Sequence, residues 1–302
     1  MFETNNFRAS LWMVAAMALF ACEDLFLKWA AAALPAGQII LIFGLAGGVM
    51  WGALVWRAGV PLFGRGFLHP MVMIRNLSEA LGSMAYLTAL AVIPLATAAA
   101  ILQSAPLMVT MGAALFLDEK VGWRRWTAIA LGMIGVLMIL RPGAEGLSLA
   151  AIIAVLSVVA LSARDLVTRR VSREIHTLQL TTWAYLGLIP AGLALMWIQG
   201  TAYRPVDLAN GLGLAVAYSL GAAGYYAVTY AMRIGEAAVV APYRYTRMVF
   251  ALILAMVFLK ERPDLWVLGG AALIILTGLY ALARSRNVAV TLQPSPVPGD
   301  GI

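Results

Sequence analysis

The apolar positions of the chain fall into ten long runs that are separated by short polar segments. Each run is about twenty residues long, the length that an α-helix needs to cross the hydrocarbon core of a bilayer. The runs are continuous rather than alternating, so they predict helices and not the strands of an outer-membrane barrel. The predicted spans are residues 10–31, 36–56, 71–92, 95–117, 123–140, 148–169, 177–198, 210–232, 237–259 and 265–283.

The composition agrees with an all-α integral membrane protein. The chain is 63% hydrophobic and 12% charged, with a mean hydropathy of +0.89, whereas a soluble domain is about half apolar and a quarter charged. The net charge of +7 does not indicate nucleic-acid binding, because the basic residues sit mainly between the spans. The single cysteine, Cys22, and two loop histidines, His69 and His176, give no reason to expect an intrachain disulfide, a metal site or a cofactor.

The distribution of basic residues predicts the orientation and the domains. Thirteen lysines and arginines fall on one side of the predicted spans and four on the other: Arg141, Arg204, Lys260 and Arg262. Because the basic side is cytoplasmic as a rule, both termini should be cytoplasmic. The expected parts are a cytoplasmic N-terminus (1–9), two five-helix repeats (10–141 and 148–283) and a proline-containing, disordered cytoplasmic tail (284–302).

An internal repeat is the clearest pattern in the chain. A shift of 142 residues places the motif LDEK at 117–120 on LKER at 259–262, and Gln103 on Tyr245. A shift of 141 places Asp24 on Asp165. Each half contains five spans, and since five is odd, the halves must cross the membrane in opposite senses. Inverted repeats around a central cavity are typical of alternating-access transporters, with the substrate near the midplane.

Polar residues inside the spans are the candidates for substrate binding, because such groups are costly in the membrane and usually face its protein interior. Glu79, Ser83 and Tyr86 recur at the spacing of one helix face. The repeat brings residues of the fourth, eighth and ninth spans to the same level, so the full candidate set is Glu79, Ser83, Tyr86, Gln103, Tyr225, Arg244 and Tyr245.

This set suits a small zwitterion with an apolar group. Tyrosine rings could stack on an aromatic side chain, an arginine (Arg244 or Arg247) could pair with a carboxylate, and Glu79 could pair with an ammonium. The alternative is structural: Glu79 forms an internal salt bridge with an arginine of the ninth span and holds the halves together.

A second set of charged residues suggests gates or ion pairs: Asp24, Lys28, Arg164, Asp165 and Arg247. Asp24 and Lys28 are four residues apart, which favours a pair within one helix. Arg164 and Asp165 are adjacent and are not expected to face each other, but with Glu79 or Arg247 they could form a cytoplasmic gate.

Two further features concern the helices themselves. Pro106 interrupts an otherwise strong helix near its middle and is a candidate hinge. Gly44, Gly48 and Gly52 form a small-residue face that allows close helix packing, either within the chain or in a homodimer.

Several motifs resemble the repeated domain of the EamA-like drug/metabolite transporter superfamily. They are AYLTALAVIPLATA at 85–98, Pro-Leu at 106–107, LFLDEK at 115–120 and LRPG at 140–143. Within that superfamily the chain looks most like ten-helix bacterial exporters of aromatic and other apolar amino acids. The resemblance implies a bundle in the bacterial inner membrane, with a central cavity lined by helices 1, 3, 4, 6, 8 and 9.

The expected function is therefore export of aromatic and apolar amino acids, or related small metabolites, by alternating access. The alternatives are export of other drugs or metabolites, and an enzyme acting on lipid-linked substrates. An enzyme would need a clustered nucleophile, base or metal set, which the sequence does not supply. A channel would need rings of like residues in several helices, and the sequence has none.

Overall fold

The computed structural model describes residues 5–64, 66–117, 119, 121–141, 148–172 and 174–291. Within them the chain folds into α-helices and one 3₁₀ helix. The α-helices are α1 (Asn6–Ala33), α2 (Ala36–Arg57), α3 (Pro70–Val92), α4 (Leu95–Leu102), α5 (Ala105–Phe116), α6 (Trp123–Leu140), α7 (Leu149–Thr168), α8 (Thr177–Ile198), α9 (Leu208–Ile234), α10 (Ala237–Val240), α11 (Thr246–Phe258) and α12 (Leu265–Thr291), and the 3₁₀ helix is Ala241–Tyr245.

These helices give the ten predicted spans. The fourth span consists of α4 and α5, and the ninth of α10, the 3₁₀ helix and α11. By length and composition, eight stretches of the described chain could cross a membrane. The other two spans are α3, which carries Arg75 and Glu79, and the interrupted ninth span. The last helix continues to Thr291, beyond the predicted end at residue 283, and residues 292–302 of the expected tail lie outside the described part.

Local sequence signals explain where several helices begin. Asn5, Ser148 and Asp207 precede α1, α7 and α9, and each side chain accepts a hydrogen bond from a backbone N–H of the first turn. Such N-caps satisfy donors that have no partner inside the helix. Pro35 and Pro94 precede α2 and α4, and their fixed backbone angle keeps the links α1–α2 and α3–α4 very short.

The most extensive helix contacts join the two halves. They pair α1 with α9, α3 with α7, α2 with α8, and α6 with α12. The pair α1–α9 joins the first span to the eighth, and the pair α3–α7 joins the third span to the sixth. Exchanging the two halves of the chain turns one of these pairs into the other. The last two pairs, and the contact of α4 with α11, join equivalent helices. The bundle therefore has an approximate two-fold symmetry.

Glycine contacts show the direction of these pairs. Gly37 near the start of α2 meets Gly192 near the end of α8, where a Cβ on either would lie 2.6 Å from the other's carbonyl oxygen. Gly52, near the end of α2, faces Thr182 near the start of α8. The same reversal joins α6 to α12, through the pairs Gly132–Thr277 and Met138–Gly269. Equivalent helices are thus antiparallel, and the five-plus-five inverted repeat is confirmed.

The small-residue face of α2 is used within the chain. A Cβ on Gly44 would lie 2.9 Å from the backbone nitrogen of Ile189, and one on Gly48 would lie 2.9 Å from Cδ2 of Leu186, both on α8. The glycines let the two helix backbones approach closely. Because α8 covers this face, the glycines serve packing within the chain, and the alternative use in a homodimer has no support from this contact.

Candidate functional site

The fourth and ninth spans are interrupted at matching places. The break between α4 and α5 falls at Gln103 and Ser104, and the 3₁₀ helix that interrupts the ninth span ends at Tyr245, the repeat equivalent of Gln103. The Nε2 of Gln103 donates to the backbone carbonyl of Arg244 at 3.3 Å, so the two breaks contact each other. Interrupted helices near the centre of a membrane leave backbone groups that can bind solutes.

Proline accompanies each interruption. Pro106 lies in the first turn of α5, just after the break. Backbone N–H groups of a first turn have no acceptor within the helix, so the missing N–H of proline costs no hydrogen bond there. Pro242 has the same place in the 3₁₀ helix. Pro242 was not among the residues singled out from the sequence, although a proline inside an apolar run is itself a signal. The role of Pro106 as a hinge stays a prediction.

Asp24 lies at the centre of a buried network that joins three helices. Its side chain is 2% exposed, and its Oδ2 accepts from Nη2 of Arg247 on α11 at 2.7 Å. Its Oδ1 accepts from the hydroxyl of Tyr86 on α3 at 2.9 Å. The expected pairing of Asp24 with Lys28 is therefore wrong. Lys28 lies one turn nearer the helix end, and its Nζ donates at 2.7 Å to each of the carbonyls of Leu90 and Ile93.

Glu79 belongs to a second network, between α3 and α7. Nη1 of Arg164 donates to both carboxylate oxygens at 3.1 Å, and Arg75 lies 3.4 Å from Oε2. The alternative that paired Glu79 with an arginine of the ninth span is wrong, because those arginines lie elsewhere. Arg164 also donates from Nε to Asp165 at 2.9 Å. The expectation that these neighbours do not meet is wrong as well, since the long side chain of arginine folds back along the helix.

Arg244 is an exposed arginine on the 3₁₀ helix that interrupts the ninth span. That helix packs against α1, α11 and α12, and the backbone carbonyl of Arg244 accepts the bond from Gln103 at the other interruption. Within the described residues, Arg244 makes no ion pair. Its guanidinium is therefore available to an anionic group.

The remaining predicted residues do not gather around one point. Tyr245 is 4% exposed, packs against Gly278 of α12, and has no hydrogen-bond partner for its hydroxyl in the described structure. It is part of the helix packing rather than of a cavity wall. Tyr225 is 42% exposed and contacts the ring of Trp51 edge-on at 5.8 Å. Ser83 is partly exposed on α3.

Sequence reasoning missed an aromatic cluster between α2, α8 and α9. The Tyr218 ring lies edge-on to Phe43 at 5.7 Å and to Tyr185 at 6.0 Å, and its hydroxyl donates to the sulfur of Met50 at 3.5 Å. The signal was the helical spacing of Phe43, Met50 and Trp51, which puts large groups on one face of α2.

The ends of the spans carry charged caps. Glu261 accepts from the backbone N–H groups of Leu95 at 2.7 Å and Ala96 at 3.0 Å, so it caps α4. At the other membrane surface, the equivalent residue Glu119 pairs with Arg169 at 3.1 Å, and both side chains are about half exposed.

Asp264 caps the last helix. Its Oδ1 accepts from the backbone N–H groups of Trp266 at 2.9 Å and Val267 at 3.0 Å, and its carboxylate pairs with Arg141. The bond from Val267 and the neighbouring arginine hold the pKa of Asp264 below its ordinary value.

Comparison with known families decides what kind of bundle this is. The model of the EamA-like transporter family matches residues 7–141 and again residues 148–283. The chain belongs to the EamA-like transporter family. It is therefore a small-molecule transporter with several membrane spans and not an enzyme. Among the described residues, no group of histidine, cysteine or carboxylate side chains could hold a metal ion.

Relatives of this EamA-like transporter are named for several solutes. A riboflavin transporter of Rhizobium johnstonii is 30% identical, over 71% of this chain and 70% of the relative. The pseudopaline exporter CntI of Pseudomonas aeruginosa is 29% identical, over 89% and 93%. An S-adenosylmethionine uptake transporter of Rickettsia conorii is 26% identical, over 74% of each. These names do not single out aromatic amino acids, so family membership alone does not choose a substrate.

A solved crystal structure shares the fold. It covers 93% of this chain and 98% of its own, with a TM-score of 0.61 and 19% sequence identity. At that identity the likeness concerns the fold alone.

Proposed function

We propose that this transporter exports aromatic and other apolar amino acids, or closely related small metabolites, from the bacterial cytoplasm. The observation that carries the proposal is Arg244, an exposed arginine that makes no ion pair within the described residues and lies where the ninth span is interrupted. A guanidinium binds a carboxylate through two parallel hydrogen bonds. The substrate carboxylate would bind there.

The aromatic cluster supports an apolar or aromatic side chain on the same substrate. Phe43, Tyr185 and Tyr218 lie on α2, α8 and α9, and Trp51 with Tyr225 continues the aromatic surface. Edge-on and offset ring contacts contribute about 0.5–1.5 kcal/mol beyond the burial of area. A solute with a ring would gain this contribution, and an aliphatic solute would gain burial alone.

Alternating access supplies the mechanism. Two halves of opposite orientation can rock around a site between them, so that the site opens to one side at a time. Arg164 with Glu79, and Arg247 with Asp24, hold helices of different halves together. We infer that these pairs fix the geometry of the cavity rather than bind the solute, because their charges already have partners.

Counterflow in proteoliposomes tests the proposal. Vesicles preloaded with unlabelled phenylalanine should take up labelled phenylalanine, and tryptophan, leucine and methionine should compete, whereas lysine should not. Riboflavin and S-adenosylmethionine belong in the panel, because relatives are named for them. If only these two compete, the amino-acid assignment is wrong.

A substitution at Arg244 tests the carboxylate site. A hydrogen bond to a charged group contributes about 1.5–3 kcal/mol, so Arg244→Gln should weaken the apparent affinity for phenylalanine about 10- to 100-fold. The matched control is Arg233→Gln, in the last turn of α9, where the arginine is exposed. Equal affinities in both variants would remove Arg244 from the site.

A further inference from the structure

Among the described residues of the spans, one carboxylate has no ion-pair partner. Asp24 and Glu79 each bind an arginine, and Asp165 binds Arg164. Glu23, on α1 beside Asp24, makes no ion pair and no side-chain hydrogen bond within the described residues, and it is only partly exposed. A membrane-embedded acid without a partner is costly, and such groups are commonly functional.

The opposite wall of this position is glycine. The Glu23 carboxylate lies against Gly221 of α9, where an added Cβ would come within 2.7 Å of its Cδ and 2.8 Å of its Oε2. Any other residue at 221 would displace the acid. The glycine therefore provides the space that the carboxylate occupies in the contact between α1 and α9.

The inverted repeat shows what this arrangement lacks. Glu23 is the equivalent of Arg164 at a shift of 141, and Gly221 is the equivalent of Glu79 at a shift of 142. In the pair α3–α7, the two positions hold a complete ion pair between Arg164 and Glu79. In the twin pair α1–α9, one position holds an acid and the other holds no side chain. The pair α1–α9 therefore has the acid of an ion pair but no cation to match it.

We propose that the Glu23 carboxylate, which packs against Gly221 and has no ion-pair partner among the described residues, is a binding subsite for the ammonium group of the substrate. The inference rests on the proposed function, since it assigns the amino group of an amino acid whose carboxylate binds Arg244. It also replaces Glu79 as the ammonium partner, because both oxygens of Glu79 already accept from Arg164. The substrate supplies the positive charge that the protein supplies in the twin pair.

Three competitors in the counterflow assay separate the groups of the ligand. L-Phenylalanine carries both charges, 3-phenylpropionate lacks the ammonium, and phenethylamine lacks the carboxylate. Glu23→Gln keeps the size of the side chain and removes its charge. It should weaken competition by phenylalanine and phenethylamine about tenfold or more, the loss expected for a charge-assisted hydrogen bond, and leave 3-phenylpropionate within about twofold.

A second variant and a control protect the test from folding defects. Gly221→Ala retains the acid but places a Cβ where the carboxylate lies, so it should displace that carboxylate and weaken phenylalanine more than 3-phenylpropionate. Glu119→Gln, in the half-exposed pair with Arg169, should change none of the three competitors. Thermal melting in detergent shows whether each variant is folded.

The outcomes separate the inference from the proposed function. If phenylalanine competes in the wild type but Glu23→Gln weakens phenylalanine and 3-phenylpropionate equally, or weakens neither, the ammonium subsite is wrong and the amino-acid proposal stands. If no amino acid competes with the wild type, the proposed function fails and the subsite falls with it. Selective loss of the two ammonium compounds in Glu23→Gln supports the subsite.

Discussion

At the scale of single residues, the decisive feature is that the buried acid Asp24 is bonded to groups on two other helices. Asp24 uses one oxygen for Tyr86 and the other for Arg247, and almost none of its surface is exposed. Removing one member of a buried pair leaves the other charge without compensation. Asp24 therefore contributes to stability mainly by compensating the charge of Arg247.

Substitution of Asp24 by asparagine tests this. Asp24→Asn should lower the free energy of unfolding by about 3–5 kcal/mol, measured as a shift of thermal melting in detergent. The matched control is Asp165→Asn, the repeat equivalent, because its side chain is 42% exposed and Arg164 keeps Glu79. The control should change stability by no more than about 1 kcal/mol. Equal shifts in the two variants would contradict the assigned role.

The partners of these charges show where sequence reasoning stops. Helical spacing correctly put Glu79 and Tyr86 on one face of α3. Spacing could not choose partners, because a guanidinium on a long side chain reaches across helices as readily as along one. Lys28 reaches carbonyls at the end of α3 instead of Asp24, and that choice depends on how α1 and α3 are packed.

At the scale of helices, the link between α3 and α4 is held by charges at both helix ends. Lys28 binds the carbonyls that end α3, and Glu261 binds the N–H groups that begin α4. Each charge has the sign that the adjoining helix end favours. Backbone groups on both sides of the short link are therefore satisfied, and Ile93 within it is buried.

Hydrogen exchange measures this arrangement directly. Glu261→Gln removes the charge that caps α4, so the amides of Leu95 and Ala96 should exchange about 10- to 100-fold faster, as expected from losing a charge-assisted hydrogen bond. Glu119→Gln, at the equivalent position of the first half, should leave the exchange of this peptide unchanged. Unaltered exchange in Glu261→Gln would show that the cap does not hold the link.

The helix interruptions mark a second limit of the sequence. Their existence follows from prolines in apolar runs, and Pro106 was recognised in this way. Their exact position did not follow, because an uninterrupted run of apolar residues reads as one helix. The turn at Gln103 and Ser104 depends on the contact with Arg244 across the bundle, which no local pattern contains.

At the scale of the whole molecule, the ten spans and their inverted order follow from the sequence, because bilayer thickness fixes span length and an odd number of spans fixes the relative sense of the halves. The cavity does not follow in the same way. Tyr245 matches Gln103 by repeat position, yet it packs against α12. Symmetry of the backbone does not require symmetry of the side chains.

Reporter fusions test the predicted orientation. From the excess of basic residues on one side, a fusion after Arg286 should be active only as a cytoplasmic reporter, and a fusion within the loop near Arg204 only as a periplasmic one. Each fusion site is the control for the other, because each type of reporter should be active at one site and inactive at the other. Periplasmic activity after Arg286 would contradict the orientation or the count of spans.

The cap on α4 also bears on the speed of the protein. If the end of the bundle that carries Glu261 opens during transport, its two bonds to backbone N–H groups must exchange for water in every turnover. A bond to a charged group is worth about 1.5–3 kcal/mol, and a barrier higher by that amount slows a step by about 10- to 100-fold. Glu261 would thus make opening slow without solute and limit leakage, at the expense of a lower maximal rate.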